Sequence, residues 1–191
     1  MVDKEIRPYL RRVIQERYGK NDCALIIEEL GIRHGLARID IAVLSEHFIG
    51  YEIKSDSDSL RRLPLQIDIY NSVFKEMNLI VGYKLAAAAI GIVPEWWGIK
   101  LVHKDSDGKI IFQTARTSKK NPFVDKNSLL KLLWKAEAAE LLRRFDINIR
   151  HKKRNDIYNA ISNILSEENI YSYIIDTFKG RPNWRAVELQ M

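Results

Sequence analysis

Residues 37–54 read ARIDIAVLSEHFIGYEIK. Ala37 to Leu44 alternates and is rich in β-branched residues, SEHF at 45–48 makes a turn, and Ile49 to Lys54 alternates again. The pattern predicts two strands joined as an antiparallel hairpin. A hairpin centred on Glu46 sets Asp40 opposite Glu52, and side chains directly across a strand pair have Cβ atoms about 5 Å apart. Lys54 follows Glu52 by two residues and so shares its face. Gly50 on that face leaves room for a substrate. Ile39, Ile41 and Val43, with Ile49, Tyr51 and Ile53, form the opposite, core-facing set.

Two carboxylates side by side on a sheet repel one another and require a cation or a proton between them. Oxygen donors suit Mg²⁺ or Mn²⁺, which keep several waters and bind phosphate oxygens. Lys54 is placed to orient an attacking water or to stabilise charge developing on a phosphate. Asp40, Glu52 and Lys54 are therefore the candidate catalytic residues of a metal-dependent phosphodiester hydrolase, with Asp40 and Glu52 as metal ligands. The same charges also suit a solvated salt-bridge network on an edge strand.

Outward from this stretch the elements are predicted as follows. Ile6, Leu10, Val13 and Ile14 recur at helical spacing over residues 3–18, with Asp3 as cap and Gly19 as stop. Cys23 to Ile32 reads as a short strand, or as a helical turn followed by a strand. After the loop Ser55–Ser59, Asp58 or Ser59 caps a helix running to about Lys75. Asn78–Tyr83 is a third strand and an alanine-rich helix follows, with a break at Pro94. Gly98–His103 and Lys109–Gln113 form a hairpin through DSDG at 105–108. From Asn127 the character is helical: Leu129–Arg144, Asp156–Leu165 and Ser166–Phe178, closed by Gly180 and Pro182. The expected fold is α/β, with a mixed central sheet flanked by helices over residues 1–125 and a helical C-terminal extension over 126–191 packed on that core.

At 191 residues the chain is long enough to bury a substantial core without staples. The single cysteine, Cys23, excludes a disulfide framework and a cysteine-based zinc cluster, and is compatible with the reducing cytoplasm. The N-terminus is charged from its third residue, and the most apolar run, Leu85–Pro94, is too short to cross a bilayer. No membrane partner is expected. No Gly-x-x-x-x-Gly-Lys-Ser/Thr run is present, so no nucleotide cofactor is expected in this chain. The net charge of +6 is unevenly spread, with Arg143, Arg144, Arg150, Lys152, Lys153 and Arg154 set against one acid, Asp146. Arg150, Lys152, Lys153 and Arg154 are candidate phosphate contacts for nucleic acid, or else a solvated surface.

Asp40 followed by Glu52-Ile53-Lys54 resembles the motif of the PD-(D/E)XK, or restriction-endonuclease-like, nuclease superfamily. Here Ile39 stands where the superfamily's name implies proline. The resemblance implies Asp40 and Glu52 as ligands of Mg²⁺ or Mn²⁺, the backbone carbonyl of Ile53 as a further ligand, and Lys54 as the catalytic lysine. Gln66-Ile67-Asp68-Ile69-Tyr70 resembles the Q-x-x-x-Y element of its RecB-like branch, which adds Gln66 and Tyr70 to the site. Their i,i+4 spacing puts them on one helix face; taken alone, they also read as a buried amide and a core tyrosine. Superfamily members place another acid upstream, and Glu29 is the choice here over Glu28. The pattern from GLARIDIAVL to PEWWGI looks like a family of small, poorly characterised bacterial proteins within that superfamily. DNA is the expected partner. The alternative is a catalytically silent module of the same fold that binds nucleic acid or protein.

Arg61 and Arg62, at the start of the helix beside the motif, are candidate phosphate contacts or solvated surface. His34, His47, His103 and His151 show no ligand spacing and read as surface or loop residues. Trp96, Trp97, Trp134 and Trp184 read as packing residues rather than base-stacking platforms.

Overall fold

The computed structural model describes residues 1–19, 24–147 and 153–181. Cys23, Arg150, His151, Lys152 and Trp184 therefore lie outside the described residues. In chain order the elements are α1 (Asp3–Tyr18), β1 (Leu25–Ile32), β2 (Ala37–Leu44), β3 (Phe48–Lys54), α2 (Leu63–Asn71), β4 (Glu76–Gly82), α3 (Tyr83–Ile92), β5 (Gly98–Lys104) and β6 (Ile110–Arg116). Four helices complete them: α4 (Lys126–Leu130), α5 (Lys135–Arg143), α6 (Arg154–Ile164) and α7 (Glu167–Lys179).

Among the described residues the strands form one six-stranded sheet in the order β1-β2-β3-β4-β5-β6. β1, β2 and β3 pair antiparallel, β3, β4 and β5 pair parallel, and β6 closes antiparallel on β5. The parallel steps are made by α2 and α3, because a parallel neighbour needs a crossover where an antiparallel one needs only a turn. One face of the sheet is covered by Ile6, Leu10 and Ile14 of α1, packed on Ile41, Val43, Ile49, Tyr51, Ile53 and Ile80. The other face carries the larger core, which runs without a break from Ile67 and Tyr70 of α2 to Leu142, Ile161 and Ile174 of the C-terminal helices. Phe48 of β3 meets Tyr171 of α7 with ring centroids 4.7 Å apart, so the C-terminal helices share the core of the sheet. No helix among the described residues is long and apolar enough to cross a membrane.

Several local expectations are corrected. Val2, not Asp3, occupies the cap position of α1, and Asp3 uses its carboxylate to bind Arg7. The helix after the motif is shorter than the expected span from Asp58 or Ser59 to Lys75. Asp58 folds back to accept from the backbone N–H and hydroxyl of Ser55, and α2 starts only at Leu63, with Pro64 where its missing N–H does no harm. It stops at Asn71 because the Asn121 amide takes the carbonyls of Asn71 and Phe74. The expected helix Leu129–Arg144 is two helices, α4 and α5. The carbonyls of Leu132 and Leu133 accept from Arg181 and Tyr158 instead of from the next turn, and Glu137 accepts the Trp134 N–H to start α5.

Ile39 is also corrected. The β1–β2 pairing runs from Leu25↔Leu44 to Ile32↔Ala37 but skips Glu29 and Asp40, and Glu29 sits at φ 55°. A left-handed residue breaks the two-residue alternation. Ile39 therefore packs in the larger core with Ala42 and Leu44, opposite Ile41 and Val43. Gly50 leaves no opening for substrate, since a Cβ there would lie 2.4 Å from Met77 Sδ and 3.1 Å from Phe74 Cγ. Gly50→Ala should lower stability by about 1–2 kcal/mol through overpacking, read as a lower midpoint in denaturant unfolding at unchanged slope.

Candidate active site

The β2–β3 ladder pairs Leu44↔Phe48 through Ile41↔Tyr51 and ends there. Beyond it Ala37–Ile39 pair only with β1, and Glu52, Ile53 and Lys54 pair only with β4. The sheet forks at this point. Asp40 Oδ2 accepts the Ile53 N–H at 2.7 Å, so a carboxylate stands where the next rung of the ladder would be. The fork opens into a cleft of about 460 Å³ lined by Asp3, Glu29, Arg38, Asp40, Glu52, Ile53, Lys54, Arg62 and Gln66, among others.

Glu52 is 2% exposed and fully engaged. Its Oε1 accepts from Lys54 Nζ at 2.5 Å and from Gln66 Nε2 at 2.9 Å. The Tyr70 hydroxyl lies 3.0 Å from Oε2 and 2.6 Å from the Arg38 carbonyl, and Gln66 Nε2 lies 3.2 Å from that hydroxyl. Gln66 and Tyr70 meet Glu52 from one face of α2, and Lys54 is itself buried. The ion pair is thus an interior one and not the solvated edge network that the sequence also allowed.

Asp40 is held from the other side of the sheet. Arg7 of α1 donates to Asp40 Oδ1 at 2.7 Å and to the Asp40 carbonyl at 3.1 Å, and pairs with Asp3 and Glu29 at 2.8 Å each. Glu29 also lies 3.6 Å from Arg38. Arg7 and Asp3 are site residues that the sequence did not disclose. Their i,i+4 spacing marks a helix pair, but nothing local links that pair to an acid on β2.

The electrostatics follow from burial. The Glu52 carboxyl, ordinarily at 4.5, is pushed up to about 7, first by burial and then by the Asp40 charge, with Lys54 pulling the other way. Asp40 is also raised, first by burial, against the Ile53 N–H and Arg7. Burial lowers the Arg7 pKa, but the hydrogen bonds and charges of Asp3 and Asp40 outweigh it and raise the pKa, keeping the guanidinium charged. Asp3 Oδ1 and Gln66 Oε1 are buried acceptors without a hydrogen-bond partner among the described residues. No group of three or more His, Cys, Asp or Glu side chains among the described residues is arranged to hold a metal ion. Glu29 faces Arg7 and Arg38 and joins no three-carboxylate cluster with Asp40 and Glu52.

Of the candidate phosphate contacts, Arg62 lines the cleft, while Arg61 is exposed just before it. Lys153 and Arg154 are exposed at the start of α6. Arg143 pairs with Glu140, and Arg144 lies over the Tyr173 ring. Trp96 and Trp97 are buried, whereas Trp134 is 60% exposed beneath the Arg181 guanidinium.

Fold and site together define a mixed α/β protein with a carboxylate- and lysine-lined cleft at a fork in its sheet. The chain belongs to the family described as bacteriophage P4 protein cII, whose profile matches residues 4–187. Protein cII of Enterobacteria phage P4 is 28% identical over 161 residues, which cover 83% of this chain and 60% of that relative. The chain thus spans about three-fifths of that protein's length. Two solved structures are similar at 16% identity. One is the SPO1766 protein of unknown function from Silicibacter pomeroyi, with a TM-score of 0.39 over 71% of this chain and 88% of that one. The other is Pyrococcus furiosus SfsA in complex with Ca²⁺, with a TM-score of 0.38 over 62% and 66%. At these scores neither likeness bears on function.

Two outcomes test this geometry. Arg7→Met leaves Asp40 largely buried beside Asp3 and Glu29 with no shared cation, and should lower stability by about 3 kcal/mol, seen as a drop in Tm that Arg7→Lys partly restores. The raised Glu52 pKa means that the folded state holds this proton more tightly than the unfolded chain. The resulting stabilisation is full below about 4.5 and is lost as pH rises through about 7. Denaturant unfolding in EDTA should therefore show about 2 kcal/mol less stability at pH 8 than at pH 5 from this group, a difference that Glu52→Gln should largely remove.

Proposed function

We propose that this protein is a metal-dependent nuclease of the PD-(D/E)XK superfamily, with a restriction-endonuclease-like core, that hydrolyses phosphodiester bonds in DNA. The observation that carries the proposal is the meeting of Asp40, Glu52, Lys54, Gln66 and Tyr70 at the fork between β2 and β3. These residues come from three elements, and Lys54, Gln66 and Tyr70 converge on the buried Glu52 carboxylate while Asp40 holds the N–H of the next residue, Ile53. Stability does not require such a cluster, because a well-packed apolar set of similar volume would serve as well.

The donor set fits a hard divalent cation. Asp40 and Glu52 share the cleft, the Asp40 charge opposes ionisation of Glu52, and the buried acceptors Asp3 Oδ1 and Gln66 Oε1 lack a donor among the described residues. Asp40, Glu52 and the Ile53 carbonyl would hold Mg²⁺ or Mn²⁺, whereas Glu29 is engaged with Arg7 and Arg38. The ion would supply Lewis-acid activation of a water and neutralise phosphate charge. The remaining work belongs to the chain. Lys54 stands beside Glu52 to orient the attacking water and to stabilise charge building on the phosphate. Tyr70 and Gln66 orient Glu52. Arg62 lines the cleft and would hold a phosphate there, and Arg7 balances the charge of Asp40.

The alternative, a silent nucleic-acid- or protein-binding module, draws on one observation: both carboxylates are already satisfied by protein donors. Incubation with single- and double-stranded DNA and RNA, in Mg²⁺, Mn²⁺ or EDTA, separates the two. The nuclease cleaves only with metal, and Lys54→Ala or Asp40→Ala reduces the single-turnover rate by at least about a hundredfold. Cleavage that survives either substitution overturns the assignment. Mn²⁺ should also raise Tm in the parent protein and not in Glu52→Ala, because a ligand of the folded state shifts the unfolding equilibrium.

A further inference from the structure

Two exposed leucines flank the mouth of the cleft. Leu36 is the last residue of the β1–β2 turn and is 71% exposed; Leu65 lies on α2 and is 64% exposed. Both line the same cleft as Asp40 and Glu52. The turn that presents Leu36 is strained, for Arg33, His34 and Gly35 lie in succession at φ 50°, 61° and 87°. Left-handed backbone at two consecutive non-glycine residues is held only where its surroundings enforce it. At this turn the His34 ring stacks on Tyr158 of α6, 6.3 Å between centroids and 20° between planes. The stacking carries the turn against the start of α6. Burial, and then the nearby charges of Arg154 and Lys131, lower the His34 pKa, which agrees with a basic neighbourhood at this place. Exposed Arg38 and Arg62 stand at the cleft itself. A basic path therefore leads from the cleft, past the turn, to Arg154 and Lys131, with the leucines at its entrance.

An intact duplex presents phosphates and sugars outward, and an exposed leucine gains nothing from a phosphate. Apolar side chains are useful against nucleic acid where base faces or opened base steps are available. We propose that the cleft takes DNA with unstacked bases, a single strand or an opened duplex end, with Leu36 and Leu65 against the bases and the backbone running over Arg38 toward Arg154. This rests on reading the cleft as a phosphodiester-hydrolysing site and names the state of its substrate.

The test is binding in EDTA, by fluorescence anisotropy, of three labelled DNAs: a single strand, a forked duplex, and a duplex closed by hairpin loops at both ends. The parent should bind the first two at least about tenfold more tightly than the closed duplex. Leu36→Ser with Leu65→Ser should abolish that preference while leaving closed-duplex affinity unchanged; both positions are exposed, so the fold is not at stake. Phe123→Ser, at an exposed position that does not line the cleft, should change nothing. Arg38→Ala with Arg154→Ala should weaken all three complexes and reduce their salt dependence. Equal or tighter binding of the closed duplex overturns the inference. So does a leucine double variant that keeps the parent's preference, and in that case the pair is left to a protein partner. Failure of the nuclease assignment is separate, since it appears as absence of metal-dependent cleavage on every DNA, whatever the binding preference.

Discussion

A β-sheet can open only where something other than a neighbouring strand satisfies its backbone, and the carboxylate of Asp40 does this for Ile53. By accepting the Ile53 N–H in place of the next rung, Asp40 lets β2 and β3 part after Ile41↔Tyr51 without stranding a buried donor. The left-handed turn at Glu29 lies beside Asp40 and breaks the pleat at the same level. It shifts Ile39 into the larger core and leaves Asp40 out of the β1–β2 pairing. The cleft, the separation of Glu52 from β2, and the access of α1 and α2 to one site all depend on this parting.

The charges then divide between the two sides of the sheet. On the α1 side Arg7 gathers Asp3, Glu29 and Asp40; on the α2 side Lys54, Gln66 and Tyr70 gather on Glu52. Asp3, Glu29, Asp40 and Glu52 are thus balanced by Arg7 and Lys54, with Arg38 beside Glu29. Burial first, and then a neighbouring carboxylate (Asp3 for Asp40, Asp40 for Glu52), raises the pKa of each, so each carboxylate favours a further positive charge nearby. A divalent cation supplies that charge without proton uptake, which is the physical basis of the proposed chemistry.

The C-terminal helices act on the site from a distance. Tyr171 against Phe48 and Lys75 paired with Glu167 tie α7 to the sheet, and the Leu133 carbonyl ties α4–α5 to Tyr158 of α6. Tyr158 in turn meets His34 at the β1–β2 turn. One chain of contacts thus runs from the interior of the helical part to the rim of the cleft. The basic residues at the start of α6 are placed by packing and not by adjacency in sequence.

What the sequence determined by itself is local. The alternation over residues 37–54 set two strands and a hairpin centred on Glu46, and the observed register Ile41↔Tyr51 is the one that centring requires. The spacing of Gln66 and Tyr70 put both on one helix face, and both meet Glu52. These follow because pleat and helix periods are properties of neighbouring residues. The tertiary structure decided the rest. Arg7 reaches Asp40 across 33 positions, the break at Glu29 moved Ile39 to the other face, Gly50 serves Met77 and Phe74 instead of a substrate, and Asn121 ends α2 from a distant loop. Each is a contact between segments far apart in the chain. Such contacts depend on which surfaces meet after the sheet has formed, and no periodicity in the sequence encodes that meeting.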